Sequence, residues 1–149
     1  MIKFDDFQHP YAVTLTLKQG IRHNGYWTKL DNMKASRNLR YFLNFLKKQV
    51  FRRSDIRKGR KLYCAPFLEK DGSGRLHYHL LLDRPSHLSD ADFVAQIISS
   101  WQKTDFGYNQ IVAMPADSQW KSYLLKERTK PVYLDSIDWT NFFVPDSVV

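Results

Sequence analysis

The segment from residue 62 to residue 83 decides the fold; it reads LYCAPFLEKDGSGRLHYHLLLD. Two runs rich in strand-forming residues, 62–69 and 75–82, flank a short stretch whose aspartate and glycines are typical of a tight turn. The pattern predicts two antiparallel strands joined as a β-hairpin. A three-residue Gly-Ser-Gly turn would pair Asp71 with Arg75 across this hairpin.

The second strand of the hairpin carries two histidines two positions apart. Because successive side chains of a strand point to opposite faces, His77 and His79 share one face and stand about 6.6 Å apart along it. The apolar side chains between and after them take the opposite face, where they can pack on helices. If Asp71 pairs with Arg75, Glu69 lies opposite His77 on the neighbouring strand. A register shifted by one residue would turn Glu69 to the other face.

Two imidazoles and a carboxylate on one face are a candidate ligand set for a divalent metal. Three protein ligands leave positions open for water and a phosphate oxygen, as a catalytic metal requires, and the carboxylate is compatible with Mg²⁺ or Mn²⁺. The sequence therefore predicts a metal centre formed by Glu69, His77 and His79. The alternative is a histidine pair without a metal, beside a glutamate that is merely exposed near a turn.

Alternating and helical patterns define the other elements. Residues 11–17 alternate as a half-buried strand does, and residues 106–114 form a further strand. Helical spacing of apolar residues predicts helices over 34–50 and 89–101, and a third helix after Pro115. The order β-α-β-β-α-β-α predicts an α+β fold, in which helices pack on an antiparallel sheet of split βαβ topology, as in ferredoxin-like and RRM domains.

The length of 149 residues fits a single domain, with a core over about 11–128 and a C-terminal extension over 129–149. Residues 21–33 have no clean period and are predicted to form a long connection that is functional or mobile. The single cysteine, Cys64, excludes an intrachain disulfide and indicates a buried apolar side chain. No apolar leader and no run of about 18 apolar residues occurs, which favours a cytoplasmic location without a membrane partner.

The charge of the chain points to nucleic acid as its partner. Lysine and arginine number 23 against 15 acidic residues, giving a formal charge of +8, and the excess is concentrated in residues 47–61. Either Tyr26 or Trp27 can stack on unpaired bases while nearby cations bind phosphates. The predicted nucleic-acid-binding residues are Arg22, Tyr26, Trp27, Lys29, Lys47, Lys48, Arg52, Arg53, Arg57 and Lys58.

Three motifs, taken in order, resemble those of the HUH endonucleases, in particular the nuclease domains of rolling-circle replication initiators with a single catalytic tyrosine. The motifs are the apolar strand VTLTL at 13–17, the His-hydrophobe-His strand at 77–79, and YLLK at 123–126. The resemblance spans residues 11 to about 128. It departs from the family pattern at Tyr78, which is more polar than the usual residue between the histidines.

The resemblance implies that Tyr123 attacks the scissile phosphorus to give a 5′-phosphotyrosine and a free 3′-hydroxyl, while Lys126 positions or neutralises the phosphate. On the predicted third helix, residues 123 and 126 are expected about 6 Å apart on one face, so that one phosphate can meet both. The implied partners are single-stranded or hairpin DNA and a host helicase. Tyr108 and Tyr133 are reserve nucleophiles, whereas Tyr78 is expected to face away from the metal.

Three alternatives stay open. A single-tyrosine HUH transposase is similar in fold and histidine pair, but commonly takes its third metal ligand four residues after the tyrosine, at the position of Glu127. We expect Glu69 instead, because it shares a rigid hairpin with both histidines. A non-catalytic RRM-like module has the same topology, although its RNP-type aromatic motifs are not clear here. Tyr123 itself has the alternative of being a core aromatic residue.

Overall fold

The computed structural model describes residues 7–116 and 136–144. In chain order the elements are β1 (Pro10–Leu17), β2 (Gly20–His23), β3 (Tyr26–Lys29), α1 (Asn32–Val50), α2 (Arg53–Arg57), β4 (Cys64–Lys70), β5 (Leu76–Asp83), α3 (Asp90–Gln102), β6 (Gly107–Pro115) and a 3₁₀ turn at Trp139–Asn141. Four strands form an antiparallel sheet in the order β4-β5-β1-β6, and β2 pairs with β3 separately. The predicted α+β class with split βαβ topology is confirmed.

The helices α1 and α3 pack on one face of the sheet, because that face collects the apolar side chains of the strands. Alternate residues of β1 and β5 enter a common core with the inner stripes of both helices. Phe42 of α1 meets Trp101 of α3 edge to face, with 5.4 Å between ring centroids. The opposite face of the sheet carries the remaining side chains of each strand, among them both histidines of β5.

Both long helices begin at capped N-termini. The Asp31 side chain accepts the backbone N–H of Lys34, so α1 begins at Asn32, slightly before the predicted start at residue 34. The Ser89 hydroxyl accepts the backbone N–H of Asp92 at the start of α3, as its sequence predicts. Within the described ranges, no helix combines the length and the apolar character needed to cross a membrane.

The segment 21–33 differs from its prediction as a long irregular connection. Its first part belongs to a two-stranded antiparallel ribbon over residues 20–29, formed by β2 and β3. The turn residues Asn24 and Gly25 have φ angles of 50° and 80°. Two positive φ angles are what a two-residue hairpin turn requires, and Asn-Gly is its strongest sequence signal. The mixed polarity of the flanking residues hides this signal, because the ribbon is exposed on one face.

Residues 136–144 close the outer edge of the sheet. Cys64 and Phe67 of β4 form isolated antiparallel bridges with Phe143 and Ile137, respectively. Ile137 is buried in a small second cluster together with Phe67, on the face opposite the helices. Cys64 is buried, as predicted, and desolvation raises the pKa of its thiol. An open strand edge is a site for unwanted pairing, so these residues protect β4.

Candidate metal centre

The β4–β5 hairpin brings the three predicted metal ligands to one face of the sheet. Glu69 is paired with His77, and His79 follows two positions later on the same face. The backbone N–H of Asp71 donates to the carbonyl of Arg75 at 3.0 Å, which is the closing pair expected for the three-residue turn. The register on which the prediction depends is therefore confirmed.

The ligating atoms of these three side chains converge on one point. The Nε2 atoms of His77 and His79 lie 3.1 Å apart, and Glu69 Oε2 lies 3.6 Å and 3.4 Å from them, respectively. A charge-assisted hydrogen bond between nitrogen and oxygen is shorter, about 2.8 Å. Hydrogen bonding to the carboxylate is thus not what sets this spacing. The cluster is partly exposed, at 21% for His77, 29% for His79 and 27% for Glu69.

The spacing of the three atoms fits a divalent metal. Donor atoms held about 2.1 Å from one ion stand about 3.0 Å apart at an octahedral angle and about 3.4 Å apart at a tetrahedral angle. The three observed distances, 3.1, 3.4 and 3.6 Å, lie around these two values. Glu69, His77 and His79 can therefore hold a metal ion after small side-chain adjustments. The spacing does not discriminate Mg²⁺ or Mn²⁺ from other divalent metals.

Thr14 supports the cluster from the neighbouring strand. It pairs with His79 across β1 and β5, and its Oγ1 lies 3.2 Å from His79 Nδ1. A metal at Nε2 leaves the ring proton on Nδ1, which can then donate to the threonine hydroxyl; such partners fix the tautomer and orientation of ligating histidines. Sequence reasoning missed Thr14. Its alternation with Val13 and Leu15 indicates the correct face, but not which strand lies beside it.

Tyr78 points away from the metal side, as predicted. It is fully buried under the helices, and its hydroxyl donates to Asp138 Oδ2 at 2.8 Å. Burial, together with the neighbouring Asp138 carboxylate, raises the pKa of Tyr78 well above its ordinary value. This half-buried carboxylate partner explains why a tyrosine is accommodated where the family resemblance leads one to expect an apolar residue.

The sheet face that carries the cluster has no aromatic residue on its two central strands. Part of this face is covered, since Phe67, the partner of His79, is buried there together with Leu81 and Ile137. Beside the histidines, β1 contributes Thr14 and Thr16, and β6 contributes Val112, which is 50% exposed. The tyrosines of the central strands, Tyr11 and Tyr78, are buried on the helix side. RRM domains stack bases on aromatic side chains at the centre of this face. The RRM-like alternative therefore lacks its main binding feature.

The ribbon places the first group of predicted DNA-binding residues at the end of the sheet that carries His77. Gln19, just before the ribbon, accepts the backbone N–H of Leu76 at 2.8 Å and donates to its carbonyl at 3.0 Å. Leu76 directly precedes His77, so these two bonds tie the base of the ribbon to the strand that carries both histidines. The predicted residues on the ribbon are all exposed: Arg22, Tyr26, Trp27 and Lys29.

The second group lies at the opposite end of the sheet. It occupies the last turn of α1, α2 and the residues beside them, where His87 Nε2 contacts the carbonyl of Val50 at 2.7 Å. His87 follows the far end of β5, and that end lies about 20 Å along the strand from His77. The group has exposed or partly exposed side chains: Lys47, Lys48, Arg52, Arg53, Arg57 and Lys58. The structure thus separates this group from the metal centre.

Two cations within residues 47–61 contact aromatic rings instead of being free on the surface. The Arg60 guanidinium lies 4.7 Å from the ring centroid of Phe51, and Lys61 Nζ lies 4.6 Å from that of Phe143. Both contacts have cation–π geometry. These two residues hold the connection between α2 and β4 against its neighbours, so they are less available to phosphates than the cations of the second group.

The predicted catalytic residues lie outside the described residues. This applies to Tyr123 and Lys126, to the alternative ligand Glu127, to the reserve nucleophile Tyr133, and to the predicted third helix. Tyr108, the other reserve nucleophile, belongs to β6 and is 43% exposed.

Comparisons with known proteins add no relative to this picture: no protein-family model, curated protein or solved structure matches the chain. The metal centre is therefore supported by the geometry of its own residues. Membership of the HUH endonucleases stays a prediction based on the three sequence motifs.

Proposed function

We propose that this chain is a metal-dependent endonuclease that cuts single-stranded DNA with Tyr123 and becomes joined to the 5′ end of the cut strand. The observation that carries the proposal is the convergence of Glu69, His77 and His79, all partly exposed, on the face of the sheet opposite the helices. The sequence predicts the same three residues, the histidines from their spacing on one strand and Glu69 from the register of the hairpin. Three protein ligands on one side of a metal ion leave coordination positions on its other side for a phosphate group.

Accessibility of the cluster supports a catalytic rather than a structural metal. A structural site is closed by its protein ligands, whereas a catalytic site keeps coordination positions open. All three side chains are partly exposed, and the sheet face beside them is polar at Thr14 and Thr16. The formal charge of +8 favours a polyanionic substrate over a neutral one.

The proposed reaction is a transesterification. The hydroxyl oxygen of Tyr123 forms a bond to the scissile phosphorus, the bond from phosphorus to the 3′ oxygen of the preceding nucleotide breaks, and the hydroxyl proton ends on that oxygen. The products are a 5′-phosphotyrosine and a free 3′-hydroxyl, and the reverse attack rejoins the strand. Lys126 neutralises charge on the phosphate. A divalent metal held by Glu69, His77 and His79 would polarise the phosphate oxygens.

The position of Glu69 supports an initiator of rolling-circle replication over a transposase. Glu69 Oε2 is 3.4 Å and 3.6 Å from the two imidazole nitrogens, so a three-ligand set is present on the sheet without Glu127. Such a set is preorganised by the hairpin, whatever the position of the tyrosine helix. The proposed substrate is origin DNA in single-stranded or extruded hairpin form, with a host helicase as the partner that unwinds the remaining duplex.

The test is detection of a covalent protein–DNA adduct. The purified chain is incubated with Mn²⁺ and 3′-labelled single strands of mixed sequence, and label that migrates with the denatured protein is measured. We expect an adduct that EDTA prevents and that Tyr123→Phe abolishes. Tyr41→Phe, an exposed tyrosine of α1, is the matched control and should form adduct normally. Adduct formation by Tyr123→Phe would move the chemistry to Tyr108 or Tyr133, and no adduct in the unchanged chain would refute the proposed activity.

A further inference from the structure

The two faces of the ribbon differ in what they contact. Ile21 packs against the main core and is paired with Thr28, and both are half-buried. The next pair, Arg22 and Trp27, points to the other face because side chains alternate along a strand. That face is turned away from the core, and we call it the outer face. Its residues are Gly20, Arg22, Trp27 and Lys29.

The indole of Trp27 packs directly on the backbone of Gly20. A Cβ atom built on Gly20 would lie 2.6 Å from Cε2 of the indole and closer still to Cζ2, so no larger residue fits without moving the ring. Gly20 does not have a positive φ angle. Its lack of a side chain is therefore needed for this close approach rather than for the backbone conformation. The ring is supported from beneath while 65% of Trp27 stays exposed.

Two cations flank this supported ring. Arg22 is the cross-strand partner of Trp27, and Lys29 follows Trp27 by two positions on the same face. Both are exposed, and neither forms an ion pair with a carboxylate within residues 7–116 and 136–144. A large supported aromatic surface between two uncompensated cations fits a polyanion that also carries planar groups. Single-stranded nucleic acid is such a ligand.

Tyr26 lacks this setting although it is 78% exposed. It is paired with His23, and by alternation both belong to the opposite face of the ribbon from Arg22 and Lys29. The sequence left open which of the two neighbouring aromatic residues contacts a base. The geometry favours Trp27.

We infer that the outer face binds one unpaired nucleobase by stacking on Trp27 and binds the flanking phosphates with Arg22 and Lys29. The inference rests on the proposed function for the choice of DNA as the ligand. Because Gln19 ties the ribbon to the strand of His77, a base held on Trp27 holds the DNA at the end of the sheet that carries His77, rather than at the end that carries Lys47 and Lys48.

The test measures binding without cleavage. A fluorescein-labelled oligothymidylate and an abasic strand of the same length are titrated with protein in EDTA, and the dissociation constant is read from fluorescence anisotropy. The Trp27→Ala variant loses one base-stacking contact, so its dissociation constant for oligothymidylate should rise about 5- to 150-fold. The dissociation constant of the Trp27→Phe variant should lie between that of the Trp27→Ala variant and that of the unchanged chain. Binding of the abasic strand should be the same for all three proteins.

A pair of glycine variants separates ring position from general damage. Gly20→Ala should weaken oligothymidylate binding, because the new methyl group displaces the indole. Gly72→Ala is the matched control, since an added Cβ meets nothing within 4 Å there, and it should bind as the unchanged chain does. Far-ultraviolet circular dichroism establishes that each variant is folded.

Two results would overturn the inference: equal oligothymidylate binding by the Trp27→Ala variant and the unchanged chain, or equal binding of abasic and thymidylate strands by the unchanged chain. Neither result depends on covalent adduct formation. If base stacking is found but no covalent adduct forms, the inference stands and the proposed nuclease activity is refuted. If an adduct forms but no base stacking is found, the nuclease activity stands and the inference is refuted.

Discussion

Thr14 lies outside the candidate ligand set and contacts one of its members, His79. Its hydroxyl is the partner of His79 Nδ1 at 3.2 Å, and the ring of His79 stands at a right angle, 89°, to that of His77. Two crossed imidazoles present their Nε2 atoms to one point only if each ring is held in its rotation. The hydroxyl is well placed to hold the second ring.

We predict that Thr14→Val lowers Mn²⁺ affinity by about 10-fold, the lower end of the effect seen when a hydrogen-bond partner of a metal-ligating histidine is removed. Valine keeps the shape of threonine and removes only the hydroxyl. Thr16→Val is the control, because the Thr16 hydroxyl donates to the carbonyl of Gln110 at 2.6 Å instead of contacting a histidine. Calorimetric titration measures the Mn²⁺ affinity of both variants. If the Thr14→Val and Thr16→Val variants bind Mn²⁺ equally well, contacts other than that with Thr14 orient His79.

Among the elements, the β4–β5 hairpin determines the site, and its turn is held by one carboxylate. Asp71 Oδ1 accepts the backbone N–H of Ser73 at 2.9 Å, the hydroxyl of Ser73 at 2.7 Å and the backbone N–H of Arg75 at 3.0 Å. The hydrogen bond from the Ser73 hydroxyl, followed by that from Arg75, lowers the pKa of Asp71. The ionised carboxylate thus stabilises the turn that sets Glu69 opposite His77.

The sign of this shift gives a pH-dependent prediction. A carboxyl group whose pKa is lower in the folded state than in the unfolded state stabilises the fold at pH values above its unfolded-state pKa, about 4. This contribution is lost as the pH falls through the folded-state pKa. Asp71→Ala should therefore lower the melting temperature at pH 7, and its difference from the unchanged chain should shrink toward pH 3. Asp105→Ala, at an exposed position, serves as control. A melting difference that stays constant between pH 7 and pH 3 would contradict this role for Asp71.

The same elements show how far the sequence allows prediction. The β4–β5 hairpin was predictable because a glycine-rich turn of definite length fixes its register, and register alone places Glu69 beside the histidines. The ribbon was missed despite the Asn24–Gly25 signal, because its outer face mixes tryptophan with cations and shows no alternation of polarity. The five-residue α2 is too short to display helical periodicity. Thr14 could not be assigned, since the order of strands in a sheet depends on contacts between distant residues.

Across the whole molecule, Asp138 connects the sheet, the first helix and the C-terminal residues. Its carboxylate accepts the hydroxyls of Tyr78 and Ser36 at 2.8 Å and 3.0 Å and the side-chain amide of Asn141 at 2.8 Å. Its backbone N–H donates to the carbonyl of Pro66 in β4. Residues 136–144 therefore contact both faces of the sheet. Asp138 holds Tyr78 on the helix side of β5, and Ile137 packs with Phe67 on the side of the histidines.

The two basic groups give a prediction that depends on the length of the DNA. Replacing Lys47, Lys48, Arg52 and Arg53 with glutamine should weaken binding of a long single strand and reduce the slope of log affinity against log salt, by about 0.7 for each lost phosphate contact. Because this group lies at the far end of β5, a strand that runs about 20 Å from His77 to Asp83, an oligonucleotide of about four nucleotides bound at the ribbon should be unaffected. Arg22 and Lys29, replaced together, should weaken binding of both strands. If the variant with all four substitutions has the same salt slope as the unchanged chain, the DNA does not contact this basic group.

Mn²⁺ binding by two carboxylate variants decides whether the metal centre is the one formed on the hairpin. Glu69→Gln keeps the size of the side chain, removes the charge opposite His77 and should reduce Mn²⁺ affinity at least 10-fold in a calorimetric titration. Glu127→Gln, four residues after Tyr123, should bind Mn²⁺ as tightly as the unchanged chain. If Glu127→Gln loses the metal while Glu69→Gln retains it, the hairpin does not supply the third ligand and the initiator-like assignment is wrong.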